Sequence, residues 1–169
     1  IGVKNADAAV VAKQNKNSRY INFGGKGTLK IGSKAKGIVE NNAYFFNNHI
    51  SSVKVSKKNK YLKAQDGVLY SKNMKILYYY PAMKQNKKFT IPSTVTRVVR
   101  YAFANNNFLE QLNMGKNVKY VGTKAFSECS RLKNITWKCK AQTIPAGCFE
   151  KCHSLKKIKL GDNVKNIKT

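Results

Sequence analysis

Any catalytic or metal chemistry in this sequence would have to come from seven carboxylates, two histidines and four cysteines. The carboxylates are Asp7, Glu40, Asp66, Glu110, Glu128, Glu150 and Asp162, spread almost evenly along 169 residues. Hydrolytic and phosphoryl-transfer sites need such groups clustered, for proton transfer or for holding a metal. Cys148 and Cys152 have a three-residue gap and no Cys-x-x-Cys pair occurs, so structural-zinc spacing is absent. We therefore expect no enzyme, no metal and no cofactor. Tyr78-Tyr79-Tyr80 beside Lys75 and Lys84 has the composition of a base-stacking platform. In a strand, however, alternation would bury Tyr79 or its two neighbours as packing.

Charge is the more informative feature. Thirty-three Lys and Arg against seven acids give a net charge of +26. Only Arg19, Arg97, Arg100 and Arg131 are arginine, the residue that forks onto phosphates and guanine edges. A lysine surface attracts polyanions diffusely, so any nucleic-acid contact should be non-specific. Apolar residues make up 42%, enough for a packed core. No apolar run reaches eighteen residues, so no membrane insertion is expected. No basic-then-apolar leader follows Ile1, and any secretion signal is expected outside this sequence.

The elements that position these residues are set by an internal period. Val95-Thr-Arg-Val98 with Ala102-Phe103 is repeated 23 residues on as Val118-Lys-Tyr-Val121 with Ala125-Phe126, and again as Ala141-Gln-Thr-Ile144 with Cys148-Phe149. Each Phe is followed by an apolar tail: Leu109-x-x-Leu112-x-Met114, Leu132-x-x-Ile135-x-Trp137 and Leu155-x-x-Ile158-x-Leu160. A unit this short cannot bury its own apolar face and must stack on copies of itself. The tails should pair as parallel strands ending at 31, 55, 91, 114, 137 and 160, with the Phe column opposite. The single long step, from Val55 to Ile91, must hold an insertion at about 60–88. Gly67–Ser71 and Ile76–Tyr80 around a polar turn read as a hairpin. Residues 1–25 fit the period poorly and read as a cap or degenerate repeat, with a short helix over Asn5–Lys13; residues 26–169 form the solenoid.

This register sorts the remaining candidates. Cys129 and Cys152 share one repeat position, filled by Asn47 and Asn106 elsewhere, and Cys148 replaces Ala102 and Ala125. All three read as interior packing residues, with Cys129–Cys152 the pair placed for a disulfide. His49 and His153 lie four coils apart, roughly 19 Å at the strand spacing, too far to share a proton or metal. The outward strand positions are Thr28/Lys30, Ser52/Lys54, Lys88/Thr90, Gln111/Asn113, Asn134/Thr136 and Lys157/Lys159. Of these, Lys30, Lys54, Lys88, Gln111, Asn113, Asn134, Thr136, Lys157 and Lys159 are the candidate ligand-binding face. No carboxylate interrupts it, and adjacent ammoniums repel unless an anion bridges them.

The pattern Val-x-x-Ile-Gly-x-x-Ala-Phe-x-x-Cys-x-x-Leu-x-x-Ile-x-Leu-Pro, followed almost position for position by Val118–Trp137, resembles the BspA-like (Treponema pallidum-type) leucine-rich repeat. Asp66–Lys72 and Tyr80-Pro81 resemble that family's variant unit. The resemblance covers about residues 37–169 and departs at the start and in its density of Lys. It implies an α/β leucine-rich-repeat horseshoe, strand-rich with short helical turns and a parallel sheet on the concave face. It also implies a secreted or cell-surface protein, commonly an adhesin, with no catalytic residues. Together these point to a binding module for an acidic glycan, wall polymer, DNA or a host surface glycoprotein. The alternatives are a structural spacer docked to an anionic wall and, third, a fragment of an enzyme whose catalytic domain lies elsewhere.

Overall fold

The computed structural model describes residues 20–21, 26–38 and 49–168. Parallel strands one repeat apart dominate it. β8 (Lys88–Thr90), β10 (Gln111–Asn113), β12 (Asn134–Trp137) and β14 (Lys157–Leu160) form a four-stranded parallel sheet. Its register pairs Lys88 with Gln111, Gln111 with Asn134 and Asn134 with Lys157. Each step is the 23-residue period, so the repeat read along the chain is the register read across the sheet. A second parallel ladder runs along the coils through β9 (Arg97–Val98) and β11 (Tyr120–Val121), then β13 (Thr143–Ile144) and β15 (Asn166–Ile167).

Among the described residues there is no helix, so the short helical turns and the α/β class are not found; the fold is a parallel β-solenoid. The backbone explains the difference. The Ala-Phe turn of each coil is bracketed by residues in the left-handed region: Tyr101 and Asn105, Lys124 and Glu128, Gly147 and Lys151, all with φ between 57° and 63° apart from Lys124 at 55°. Left-handed φ at both ends prevents a right-handed helix from closing its own hydrogen bonds. The amides bond to the next coil instead: Asn105 N–H donates to the Ser127 carbonyl at 3.0 Å and Glu128 N–H to the Glu150 carbonyl at 2.7 Å. Phe103 N–H to Ala125 O, at 2.8 Å, and Phe126 N–H to Cys148 O, at 3.1 Å, complete this third column.

The interior is an aromatic stack. Phe103 lies 5.0 Å from Phe126, and Phe126 lies 5.7 Å from Phe149, centroid to centroid. Tyr80, one period before Phe103, extends the column at 4.7 Å. Strict alternation along Tyr78–Tyr80 therefore fails. β7 (Ile76–Tyr79) buries Tyr79 on the strand, and Tyr80 turns inward after it as the first aromatic of the stack. The tyrosines are packing residues, not a platform.

The long step contains more than a hairpin. β5 (Leu62–Gln65), β6 (Val68–Ser71) and β7 form an antiparallel meander, and β7 then joins the second ladder beside β9. Asp66 and Gly67, at φ 50° and 73°, make the two-residue β5–β6 turn. Before the meander, β2 (Lys26–Ile31) pairs with β4 (His49–Val55), and β1 (Tyr20–Ile21) with β3 (Gly37–Ile38). The helix expected over Asn5–Lys13 lies outside the described residues.

Candidate functional site

The structure places the predicted binding residues on strands, facing out, in two separate groups. Lys88, Gln111, Asn134 and Lys157 form one row across the four-stranded sheet, and Thr90, Asn113, Thr136 and Lys159 form the next. All are exposed except Thr136, which is half-buried. Between the rows run Phe89, Leu112, Ile135 and Ile158, pointing into the core as alternation requires. Asn113 Nδ2 donates to Thr90 Oγ1 at 3.3 Å, so the polar centre of the face is ordered across neighbouring strands. Lys157 and Lys159 supply cations at one edge and Lys88 at the other, roughly 14 Å apart at the usual strand spacing.

Lys30 and Lys54 are paired across β2 and β4, in a different sheet. The single uninterrupted face expected from the period is therefore broken between β4 and β8. The β4 edge is occupied by other backbone: Val53 N–H donates to the Gly67 carbonyl at 2.9 Å, and Met83 N–H donates to the Ile50 carbonyl at 2.9 Å. The insertion thus fills the groups through which β8 would have paired with β4. Its seam is held by Asn106, fully buried, whose Nδ2 donates to the carbonyls of Pro81, Ala82 and Lys84 at 2.8, 3.2 and 3.0 Å. Asn106 Oδ1 accepts from the Leu109 amide at 2.8 Å.

Asn59 makes the same kind of clasp one sheet earlier, bonding the Gly32 and Ala35 carbonyls at 2.7 and 2.9 Å. Sequence reasoning did not single out Asn59; Asn47, which it assigned to the shared repeat position, lies outside the described residues. Cys129 and Cys152 take over the position in later coils, their thiols donating to the carbonyls of Phe103 at 3.2 Å and Phe126 at 3.0 Å. Contact with Cys152 and complete burial push the Cys129 thiol up, and burial pushes Cys148 up. These are interior thiols, and all four cysteines are free. Among the described residues, no three His, Cys, Asp or Glu side chains converge as a metal site. His49 and His153 are both exposed, one on β4 and the other ahead of β14.

Three glutamates of the repeats are held by lysines of adjacent coils. Lys133 Nζ lies 2.7 Å from Glu110, Lys124 2.9 Å from Glu150 and Lys151 3.1 Å from Glu128. The Lys133 hydrogen bond holds the Glu110 carboxyl below its ordinary range, and Lys124 does the same for Glu150. None of these acids lies on the two outward rows, which keep their positive edges.

The repeat corresponds to a described family, "BspA type Leucine rich repeat region", which matches residues 75–169 in six copies. The chain belongs to the BspA-type leucine-rich repeat family. Among solved structures it is similar to the pneumococcal vaccine antigen PcpA, with 26% identity and a TM-score of 0.73 over 84% of this chain and 35% of that one. It is also similar to a leucine-rich cell surface protein from Faecalibacterium prausnitzii, at 27% identity and a TM-score of 0.73, covering 83% of this chain and 37% of the other. A leucine-rich repeat protein from Eubacterium ventriosum shares the fold at 23% identity and a TM-score of 0.62, over 84% and 48%. This BspA-type chain thus spans about a third to a half of the length of the structures it resembles. A comparison with curated proteins finds no match.

Proposed function

We propose that this BspA-type solenoid is a non-enzymatic binding module of a secreted or cell-surface protein, and that it holds an acidic polymer on the outward face of its strands. The observation that carries this reading is the pair of in-register rows, Lys88–Gln111–Asn134–Lys157 and Thr90–Asn113–Thr136–Lys159, with no carboxylate in either. Amides and hydroxyls flanked by ammoniums suit a sulfated or carboxylated glycan, whose hydroxyls and charges alternate along the chain. Lys30 and Lys54, side by side on β2 and β4, add a second cationic step for a ligand long enough to cross the seam. The surface and antigen descriptions carried by two of the similar structures support the location. Among the described residues, no helix is long and apolar enough to cross a membrane.

A spacer that merely docks to an anionic wall is the second reading, favoured by exposed lysines elsewhere, such as Lys57, Lys58, Lys63 and Lys165. A glycan array run beside immobilised DNA at physiological salt separates the two. Saturable binding restricted to particular acidic glycans supports the module. Equal retention of every polyanion supports the spacer.

A further inference from the structure

We infer a second ligand site on the other strand ladder, centred on Tyr120, that takes one acidic sugar unit by stacking and ion pairing. Tyr120 is 67% exposed, although it sits on β11 in a ladder whose next residue, Val121, packs against the core. A single exposed apolar side chain is ordinary, but Tyr120 differs from Tyr61, whose ring is capped by Lys36 at 5.4 Å, in lying between two basic hollows. Its row supplies the rest of the site. Arg97 is its register partner on β9, and Thr143 lies one repeat further on.

Tyr120 forms the wall between two shallow hollows. One, of about 500 Å³, is lined by Arg97, Arg100 and Thr123; the other, of about 430 Å³, by Lys119, Lys140 and Gln142. Neither hollow has a carboxylate in its lining. Arg100 is drawn back, its guanidinium 4.7 Å from the Tyr101 ring and bonded to the Tyr101 hydroxyl at 3.1 Å, so it braces the floor. The arrangement is thus one exposed ring, a planar guanidinium beside it, two ammoniums, and amide and hydroxyl groups on the far side. A pyranose presents an apolar face for the ring, hydroxyls for Thr143 and Gln142, and a carboxylate or sulfate for Arg97. Single-stranded nucleic acid fits less well, because it uses successive aromatics, and the neighbours of Tyr120 in its row are Arg97 and Thr143.

This inference does not rest on the lysine rows, and the experiment keeps the two apart. A protein with Lys30, Lys54, Lys88, Lys157 and Lys159 all changed to Gln is titrated with a heparin-derived tetrasaccharide at physiological salt, following amide shifts and affinity. We expect shifts over Lys119–Gly122 and at Gln142–Thr143, a loss of about three- to tenfold on Tyr120→Ala, near-parent affinity for Tyr120→Phe, and a further loss on Arg97→Gln. Maltotetraose, which lacks the charge, should bind far more weakly. Tyr120→Ala binding as the parent does, shifts absent from β11, or oligo(dT) displacing the tetrasaccharide in a Tyr120-dependent way would each overturn it.

Discussion

Phe126 shows how much a single repeat position contributes. It is fully buried, with Phe103 and Phe149 on either side and Trp137 edge-on at 6.4 Å. Phe126→Ala should destabilise the protein by roughly 3–5 kcal/mol in urea unfolding. A loss below about 1 kcal/mol would mean that the column does not carry the core. Asn106 is a different case, because its value lies in hydrogen bonds. Asn106→Ala removes the side-chain donor to the Pro81, Ala82 and Lys84 carbonyls, of which Pro81 keeps the Lys84 amide, together with the acceptor for the Leu109 amide, and should cost about 3 kcal/mol. Asn106→Cys should cost measurably less, since Cys129 and Cys152 already bond one carbonyl each from the clasp position. Equal losses for the two variants would show that the thiol does not substitute for the amide. That both residue types serve one position was legible from the period alone. Asn59 was not, because the insertion moves it off the 23-residue spacing.

Among the elements, the parallel strands and their order were readable because each apolar pair recurs at a constant step. The insertion was only half read. Gly67–Ser71 and Ile76–Tyr80 announce themselves by β-branched and aromatic content, whereas Leu62–Gln65 has no β-branched or aromatic residue. The signal that would have found β5 was the Asp66-Gly67 dipeptide, the strongest short hairpin turn, flanked by Gln65 and Val68 in register. The helical turns failed for a subtler reason. Tyr101, Lys124 and Glu128 have no sequence mark of left-handed backbone, and the amides of Lys124 and Glu128 are held by the Ala146 and Glu150 carbonyls of the next coil. Gly67 also anchors the seam: its φ is +73°, and a Cβ would meet Ser52 Oγ at 2.6 Å. Gly67→Ala should therefore cost roughly 1–3 kcal/mol and loosen the amide of Val53 in hydrogen exchange. Unchanged exchange at Val53 would separate the turn from the β4 edge.

For the whole molecule, the balance of charge bears on the pH response and on the ligand proposed above. Glu110 and Glu150 are held below the ordinary glutamate value of 4.5, so their ion pairs stabilise the fold above that pH. The contribution is lost as pH falls through the lowered values. A Glu110→Gln, Glu150→Gln variant should match the parent in strong acid and become the less stable of the two above pH 4.5, a small and salt-screened difference. Curves that never diverge would make the pairs ornamental. The candidate face itself was legible residue by residue, from strand alternation. Its division was not, because only the folded insertion reveals that it takes up the β4 edge.

The central claim is that lysines on the strand face, and not the general charge of +26, hold the ligand. The most direct measurement is the salt dependence of heparin affinity. If Lys30, Lys54, Lys88, Lys157 and Lys159 each displace one counterion, log K should fall against log salt with a contribution of roughly −3.5 to −4.5 from these five. Changing them together to Gln should remove most of that slope, while changing Lys34, Lys57, Lys58, Lys63 and Lys165, all exposed elsewhere, should remove much less. Equal flattening by the two sets would contradict the account and leave the strand face as ordinary charged surface.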